Sequence, residues 1–195
     1  MHPLEARRRM ASGRMAHLFL RESKLLIGTD YTKDPRFEAL TRDQGMASLA
    51  LFPGPLAINL SPLSPSQRAA SLPLGRPLRV FVIDGTWNTA KKTLRRHPYL
   101  SQLPQIMFSP PFESRFRVRK QPFPGCLSTL EAIHHLIDLL GPVVGYNTGL
   151  REHDSMLETF DHLVDQQVAV MERLTESGDV LHPRRRRLKG STAKT

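Results

Sequence analysis

Of the chain's 195 residues, 39% are apolar and 24% charged, which suits one soluble globular domain with a sizeable core. No window approaches the ~18 apolar residues of a membrane span, and the single cysteine, Cys126, excludes an internal disulfide or a cysteine-only metal site. The 28 Lys and Arg outnumber the 18 acids for a net charge of +10. Residues 184–195 (RRRRLKGSTAKT) hold six of the positive charges and no acid, so without them the net charge falls from +10 to +4. Such a balance points first to nucleic acid, second to an anionic membrane surface, and otherwise to a solvated tail that aids solubility. The opening residues, MHPLEARRRMASGRM, contain no apolar h-region, so no secretory signal is read there and the cytoplasm is the expected address.

Residues 1–13 are basic at Arg7, Arg8 and Arg9 and end in Ser12-Gly13. The spacing of Met15, Leu18 and Phe19 predicts a short helix over residues 14–22. Residues 24–28 (KLLIG) read as a short buried strand. Residues 34–42 read as a helix, capped by Asp34 with Pro35 at its first position. A strand follows over residues 47–52 (ASLALF), closed by Pro53-Gly54, and the apolar residues 56–60 add extended chain. Residues 61–77 contain four prolines, four serines and a glycine and are expected to form a surface loop with no regular element.

The apolar run at residues 80–83 predicts a buried strand, with a helix over residues 88–96 that stops at His97-Pro98. A short strand (residues 105–108, QIMF) precedes a proline-rich segment, residues 109–125. Helices over residues 127–140 and 154–174 complete the pattern, each with an apolar stripe. Strands alternating with helices imply an α/β fold with a largely parallel sheet over residues 1–175, and a basic, disordered tail over residues 176–195.

Three stretches hold residues suited to chemistry. In Asp84-Gly85-Thr86-Trp87 a buried strand delivers a carboxylate, a hydroxyl and the only tryptophan to the mouth of a helix, where α/β proteins place ligands. Partial desolvation there suits Asp84 to proton transfer, and Trp87 offers a face for a base. Equally, Asp84 or Thr86 simply caps the helix and Trp87 belongs to the core. No G-x-x-x-x-G-K-[ST] supports a P-loop reading. Ser128-Thr129-Leu130-Glu131 is a capping box, and the loop entering it also offers free N–H groups to a polar ligand edge. Ser114 to Lys120 (SRFRVRK) presents alternating arginines, with Phe116 between them, either to phosphates or to solvent. The eight histidines form no H-x-x-x-H or H-E-x-x-H pattern, and no metal site is expected.

At Asp84-Gly85-Thr86-Trp87 the chain resembles the DTW-domain family, named for D-x-T-W. The resemblance extends to Ala90-Lys91-Lys92 in the helix that follows and to S-R-[YF]-R-[LIV]-R at residues 114–119. It also takes in L-S-T-x-E-A at residues 127–132, H-P-x-E at His2, Pro3 and Glu5, and L-[YF]-P at Leu51-Phe52-Pro53, and covers about residues 2–175. It implies a tRNA-uridine aminocarboxypropyltransferase, which moves the 3-amino-3-carboxypropyl group of S-adenosylmethionine to N3 of a uridine. The implied fold is a SPOUT-like domain with a C-terminal knotted cofactor pocket.

On this resemblance Asp84 would accept or orient the N3 proton or hold the amino group of the transferred arm. Thr86 and Trp87 would complete the catalytic corner. Leu51, Pro53, Asp84, Leu127, Ser128, Thr129, Glu131 and Ala132 would line the cofactor site. Arg7, Arg8, Arg115, Arg117 and Arg119 would hold tRNA phosphates or the cofactor carboxylate. Many relatives carry a cysteine cluster upstream of H-P-x-E that this chain lacks, so it is expected either to be naturally short or to miss an upstream segment. The rival expectations are a SPOUT-type RNA methyltransferase and a non-catalytic RNA-binding protein.

Overall fold

A computed structural model describes residues 1–119 and 125–177. The elements in order are α1 (Pro3–Ala6), α2 (Ser12–Phe19), α3 (Pro35–Arg42), β1 (Ala47–Leu51), β2 (Ile58–Asn59), α4 (Pro65–Ser71) and β3 (Leu78–Val82). They continue with α5 (Trp87–Arg96), α6 (Pro98–Gln102), β4 (Gln105–Met107), α7 (Thr129–Leu140) and α8 (Asp154–Glu176). Two short 3-10 turns, Gly141–Val144 and Thr148–Leu150, join the last two helices.

The four strands form one sheet in the order β2-β4-β1-β3, and every pairing in it is parallel. This matches the expected α/β class. The register sets Leu51 of β1 beside Val82 of β3, so both strands end at the same edge. Side chains alternate across β3, as the pleat requires. Leu78 and Val80 pack with Leu49, Ile106, Leu136 and Leu140 on the α7 face. Phe81 packs with Tyr31, Phe37, Leu100 and Tyr99 on the face covered by α3 and α6. Helices on both faces are what a parallel sheet needs to bury its apolar strands. A second core lies where Ala16 of α2 and Leu130 of α7 meet Met156, Phe160 and Val164 of α8.

Helix starts follow local chemistry. Asp34 accepts a hydrogen bond from the Arg36 amide, with Pro35 at the first position of α3. The expected helix over residues 14–22 is Ser12–Phe19.

Two expectations are corrected. Residues 24–28 form no strand: the Leu26 carbonyl and the Gly28 amide bond to Met1, no other strand lies alongside, and Ile27 is 48% exposed. The proline-serine loop contains α4. Ser64 accepts from the Gln67 amide while the Gln67 side chain accepts from the Ser64 amide, and Pro65 occupies the first helical position, where a missing N–H costs nothing. The tail beyond residue 177, with its run of arginines, lies outside the described residues, as do Lys120 and the rest of 120–124.

Candidate active site

The site forms where the ends of β1 and β3 meet the start of α7. The apolar residues of β3 fix the strand in the sheet, and the chain leaves it at Ile83-Asp84. Asp84 is half-buried. Its Oδ1 accepts a hydrogen bond of 2.6 Å from the Thr129 hydroxyl, the first residue of α7. Its backbone carbonyl accepts from the His2 amide at 2.9 Å, which ties the chain before α1 to the same corner. A Cβ placed on Gly13 of α2 would lie 2.7 Å from Asp84 Oδ2, so the backbone of α2 approaches the carboxylate closely only because residue 13 is glycine. Gly13 and Thr129 thus meet the carboxylate itself, and His2 holds the backbone behind it.

Thr86 caps α5, accepting from the Thr89 amide at 3.3 Å, and its hydroxyl lies 3.1 Å from that of Thr89. The capping reading therefore holds for Thr86 and not for Asp84. Trp87 does not join the core: it is 37% exposed and meets Phe52 edge to face, ring centroids 6.0 Å apart. Phe52 extends β1 just beyond Leu51 and bonds through its amide to the Ile106 carbonyl. Leu51 is half-buried against the sheet core and Pro53 is exposed. The Trp87–Phe52 contact thus ties the start of α5 to the end of β1, at the sheet edge where β3 also ends.

The capping box of α7 is present in full. Ser128 accepts from the Glu131 amide, and Glu131 Oε2 accepts from the Ser128 amide at 2.7 Å. Glu131 is only 2% exposed, and it also accepts from the Ser114 hydroxyl at 2.7 Å and from the Arg115 amide at 2.6 Å. Buried carboxylates need such donors. Glu131 thus acts as the anchor of the 114–119 segment. Leu127 and Ala132 are half-buried beside it, and the Ala132 amide makes the first bond of the helix to the Ser128 carbonyl.

The arginines of that segment pair with acids. Arg115 reaches Asp161 at 2.7 Å, Arg117 reaches Asp165, and Arg119 reaches Glu5 at 3.1 Å. Asp161 and Asp165 are one turn apart on α8, and Glu5 is buried and also holds Arg8 at 3.0 Å. Phe116 is not an exposed stacking surface. It is 5% exposed and packs on Phe160, centroids 5.3 Å apart. Arg7 and Arg9 stay exposed, with no ion pair among the described residues.

Burial holds the Tyr31 phenol above its ordinary value against a hydrogen bond to the Gly28 carbonyl, and the charges of Asp34 and Asp84 add to the rise. At the far end of α7 the ligand atoms of His134, His153 and Asp154 lie within 4.8 Å of one another, close enough for a metal. Arg151 already holds both carboxylates there, bonding Asp138 at 2.5 Å and Asp154 at 2.5 and 2.9 Å. A cation would have to displace that guanidinium, so the cluster reads as an ion-pair clamp between α7 and α8. An open hollow at the start of α3 is lined by Asp30, Lys33, Asp34 and Arg36. Asp34 and Arg36 pair with each other there, and no corner residue reaches it.

The sequence expectations name Asp84, Trp87 and the α7 loop, and the structure joins Asp84 to that loop through Thr129. They do not name Gly13, His2 as a backbone donor, or the bond from Thr129 to Asp84. None of these has a local signature.

The chain has relatives among known proteins. The family model described as the DTW domain matches residues 1–168. The chain is 30% identical over 125 residues to a Macaca fascicularis protein named tRNA-uridine aminocarboxypropyltransferase 2, covering 60% of this chain and 37% of that protein. It is 29% identical over 142 residues to the Drosophila melanogaster protein of the same name, covering 71% and 53%. Against the Mus musculus protein the figures are 28% over 120 residues, 58% and 36%. The chain thus spans between 36% and 53% of the length of these curated relatives. No solved structure matches it.

Proposed function

This chain belongs to the DTW-domain family, and on that premise we propose that it is a tRNA-uridine aminocarboxypropyltransferase using S-adenosylmethionine. The observation that carries the reading is the Asp84–Thr129 pair at the exit of β3, with Trp87 three residues on and packed against Phe52. The donor set fits the cofactor. A carboxylate and aromatic faces suit a sulfonium and an ammonium, hydroxyls at Thr86 and Thr129 suit polar edges, and Leu51 and Pro53 offer apolar surface. When bound, S-adenosylmethionine supplies an activated 3-amino-3-carboxypropyl group, and its transfer to uridine N3 leaves methylthioadenosine.

The chain's own residues do the positioning. Asp84, aligned by Thr129, accepts or orients the N3 proton, or anchors the amino group of the arm. Trp87 shapes the pocket and presents a face to the base. Leu127, Ser128, Thr129 and Ala132 line the pocket, with Glu131 holding that loop in place from beneath. Catalysis here is chiefly the holding of two reactants in line, which is worth many powers of ten. We extend the reading to a SPOUT-like domain with a knotted C-terminal cofactor pocket, acting on tRNA in the cytoplasm. Arg7 is free to meet phosphate. Arg8, Arg115, Arg117 and Arg119 meet it only by exchanging a protein carboxylate for an RNA phosphate.

The test is to incubate unmodified tRNA with S-adenosylmethionine labelled separately in its methyl and carboxypropyl parts. Carboxypropyl label in the RNA is expected. Methyl label would indicate a methyltransferase, and neither label would leave a non-catalytic RNA-binding protein.

A further inference from the structure

The chain contains no carboxylate side chain between Asp84 and Glu113, and α5 lies within that stretch. Ala90 and Leu94 bury the inner side of α5. At 100° per residue Lys91, Arg95 and Lys92 fall about 80°, 120° and 180° from the midline of that buried side, and all three are exposed. None of the three makes a hydrogen bond or ion pair through its side chain with any other described residue. Arg96 differs, since it donates to the Thr29 carbonyl and lies near Asp30. Lys91 and Arg95 stand one turn apart, as do Lys92 and Arg96, and like charges at that spacing weaken a helix. Arg95 gains something from the helix C-terminus, whereas Lys91 and Lys92 sit mid-helix and gain nothing from the protein.

The arrangement contrasts with the 114–119 segment, where protein acids take up every arginine. It also starts at the candidate active site. Trp87 is the first residue of α5, Lys91 is one turn further along, and Arg95 is two turns further, about 6 and 12 Å along the axis. An exposed aromatic followed by a row of unneutralised cations is how single-stranded nucleic acid is held, with bases on the ring and phosphates on the charges.

We propose that the outer face of α5, through Lys91, Lys92 and Arg95, holds the phosphates of the RNA strand that brings its target base to Trp87 and Asp84. This rests on the transferase reading above and assigns the RNA track to α5 in place of the paired arginines. An anionic membrane is the competing partner for a basic face, but the proximity of Trp87 and Asp84 favours RNA.

The experiment measures binding of a labelled unmodified tRNA transcript to the full chain across a salt series, for wild type and for Lys91→Gln/Lys92→Gln/Arg95→Gln. Because the variant removes three cations that neutralise phosphates, the slope of log affinity against log salt is expected to flatten by about 2, and affinity at ~0.15 M salt to fall roughly 10- to 50-fold. S-adenosylmethionine binding by calorimetry should not change, which shows that the variant is folded. An unchanged slope and affinity, with wild type binding tRNA, would overturn the α5 assignment and leave the transferase reading standing. Failure of wild type to bind tRNA at low salt would instead remove the transferase reading itself. Loss of binding to anionic phosphatidylserine vesicles with no loss on tRNA would assign the face to a membrane and overturn the proposal.

Discussion

The Thr129 hydroxyl donates to Asp84 across 2.6 Å, and this bond joins the first residue of α7 to the end of β3. It links two segments of sequence that each look self-sufficient, one as a strand end and one as a helix cap. Replacing Thr129 by valine keeps the shape and removes the donor. Transfer should fall at least 10-fold in kcat with a change in melting temperature of only a few degrees, because one partly exposed hydrogen bond contributes about 1 kcal/mol to stability. Steady-state kinetics beside thermal melts would check both.

Gly13 offers an orthogonal route to the same carboxylate. In Gly13→Ala the new methyl lies within 3 Å of Asp84 Oδ2, so the carboxylate must swing away. The expected outcome is an activity loss comparable to that of Thr129→Val, although residue 13 lies 71 positions from Asp84 and carries no functional group. Activity at wild-type level in a folded Gly13→Ala protein would mean that Asp84 tolerates displacement.

Glu131 should matter to the fold first. Its buried carboxylate accepts from the Ser114 hydroxyl and from the amides of Arg115 and Ser128. Glu131→Gln turns one acceptor oxygen into a donor that faces donors, and urea denaturation should show a loss of about 2–4 kcal/mol. The 114–119 segment should loosen first, visible as faster amide exchange at Arg115.

Part of this was legible from the sequence, and the reasons are local. The apolar run 80–83 ending in Asp84 marks a strand and its exit, although β3 lies at the sheet edge and its residues are half-buried rather than buried as expected. S-x-x-E marks the start of α7 whatever its tertiary role. Helix α4 shows the opposite case. Its Ser64-Pro65-Ser66-Gln67 start is a capping signature, but prolines and serines taken by count read as a loop. The partners of Arg115 and Arg117 were not legible, since Asp161 and Asp165 lie 46 and 48 residues away and only the packing of α8 brings them close. The same holds for Thr129 and Asp84, 45 residues apart.

Low pH should expose the clamp between α7 and α8. Hydrogen bonds from Arg151 foremost, and then from His134, hold the Asp154 carboxyl down at about 2 against some burial. The folded value is below the ordinary 3.8, so the ionised group stabilises the fold at higher pH, and that contribution is lost as pH falls from about 4 through about 2. Partial exposure and screening limit it to about 1 kcal/mol. Carboxyl NMR titration should place the Asp154 midpoint near 2, and Arg151→Met should move it back towards 3.8.

Trp87 provides a built-in reporter as the only tryptophan, exposed on one side and against Phe52 on the other. Titration with S-adenosylmethionine should change its fluorescence with a saturable dependence. In Phe52→Leu the change should shrink, as the ring loses its edge-to-face neighbour.

The most direct measurement is nucleoside mass spectrometry of tRNA after incubation with S-adenosylmethionine and either the wild-type chain or Asp84→Asn. A 3-amino-3-carboxypropyl adduct on uridine with wild type, reduced roughly 100-fold or more by Asp84→Asn while the fold and tRNA binding persist, is the predicted result. An adduct formed equally well by both proteins would contradict the assignment of the chemistry to the Asp84–Thr129 corner.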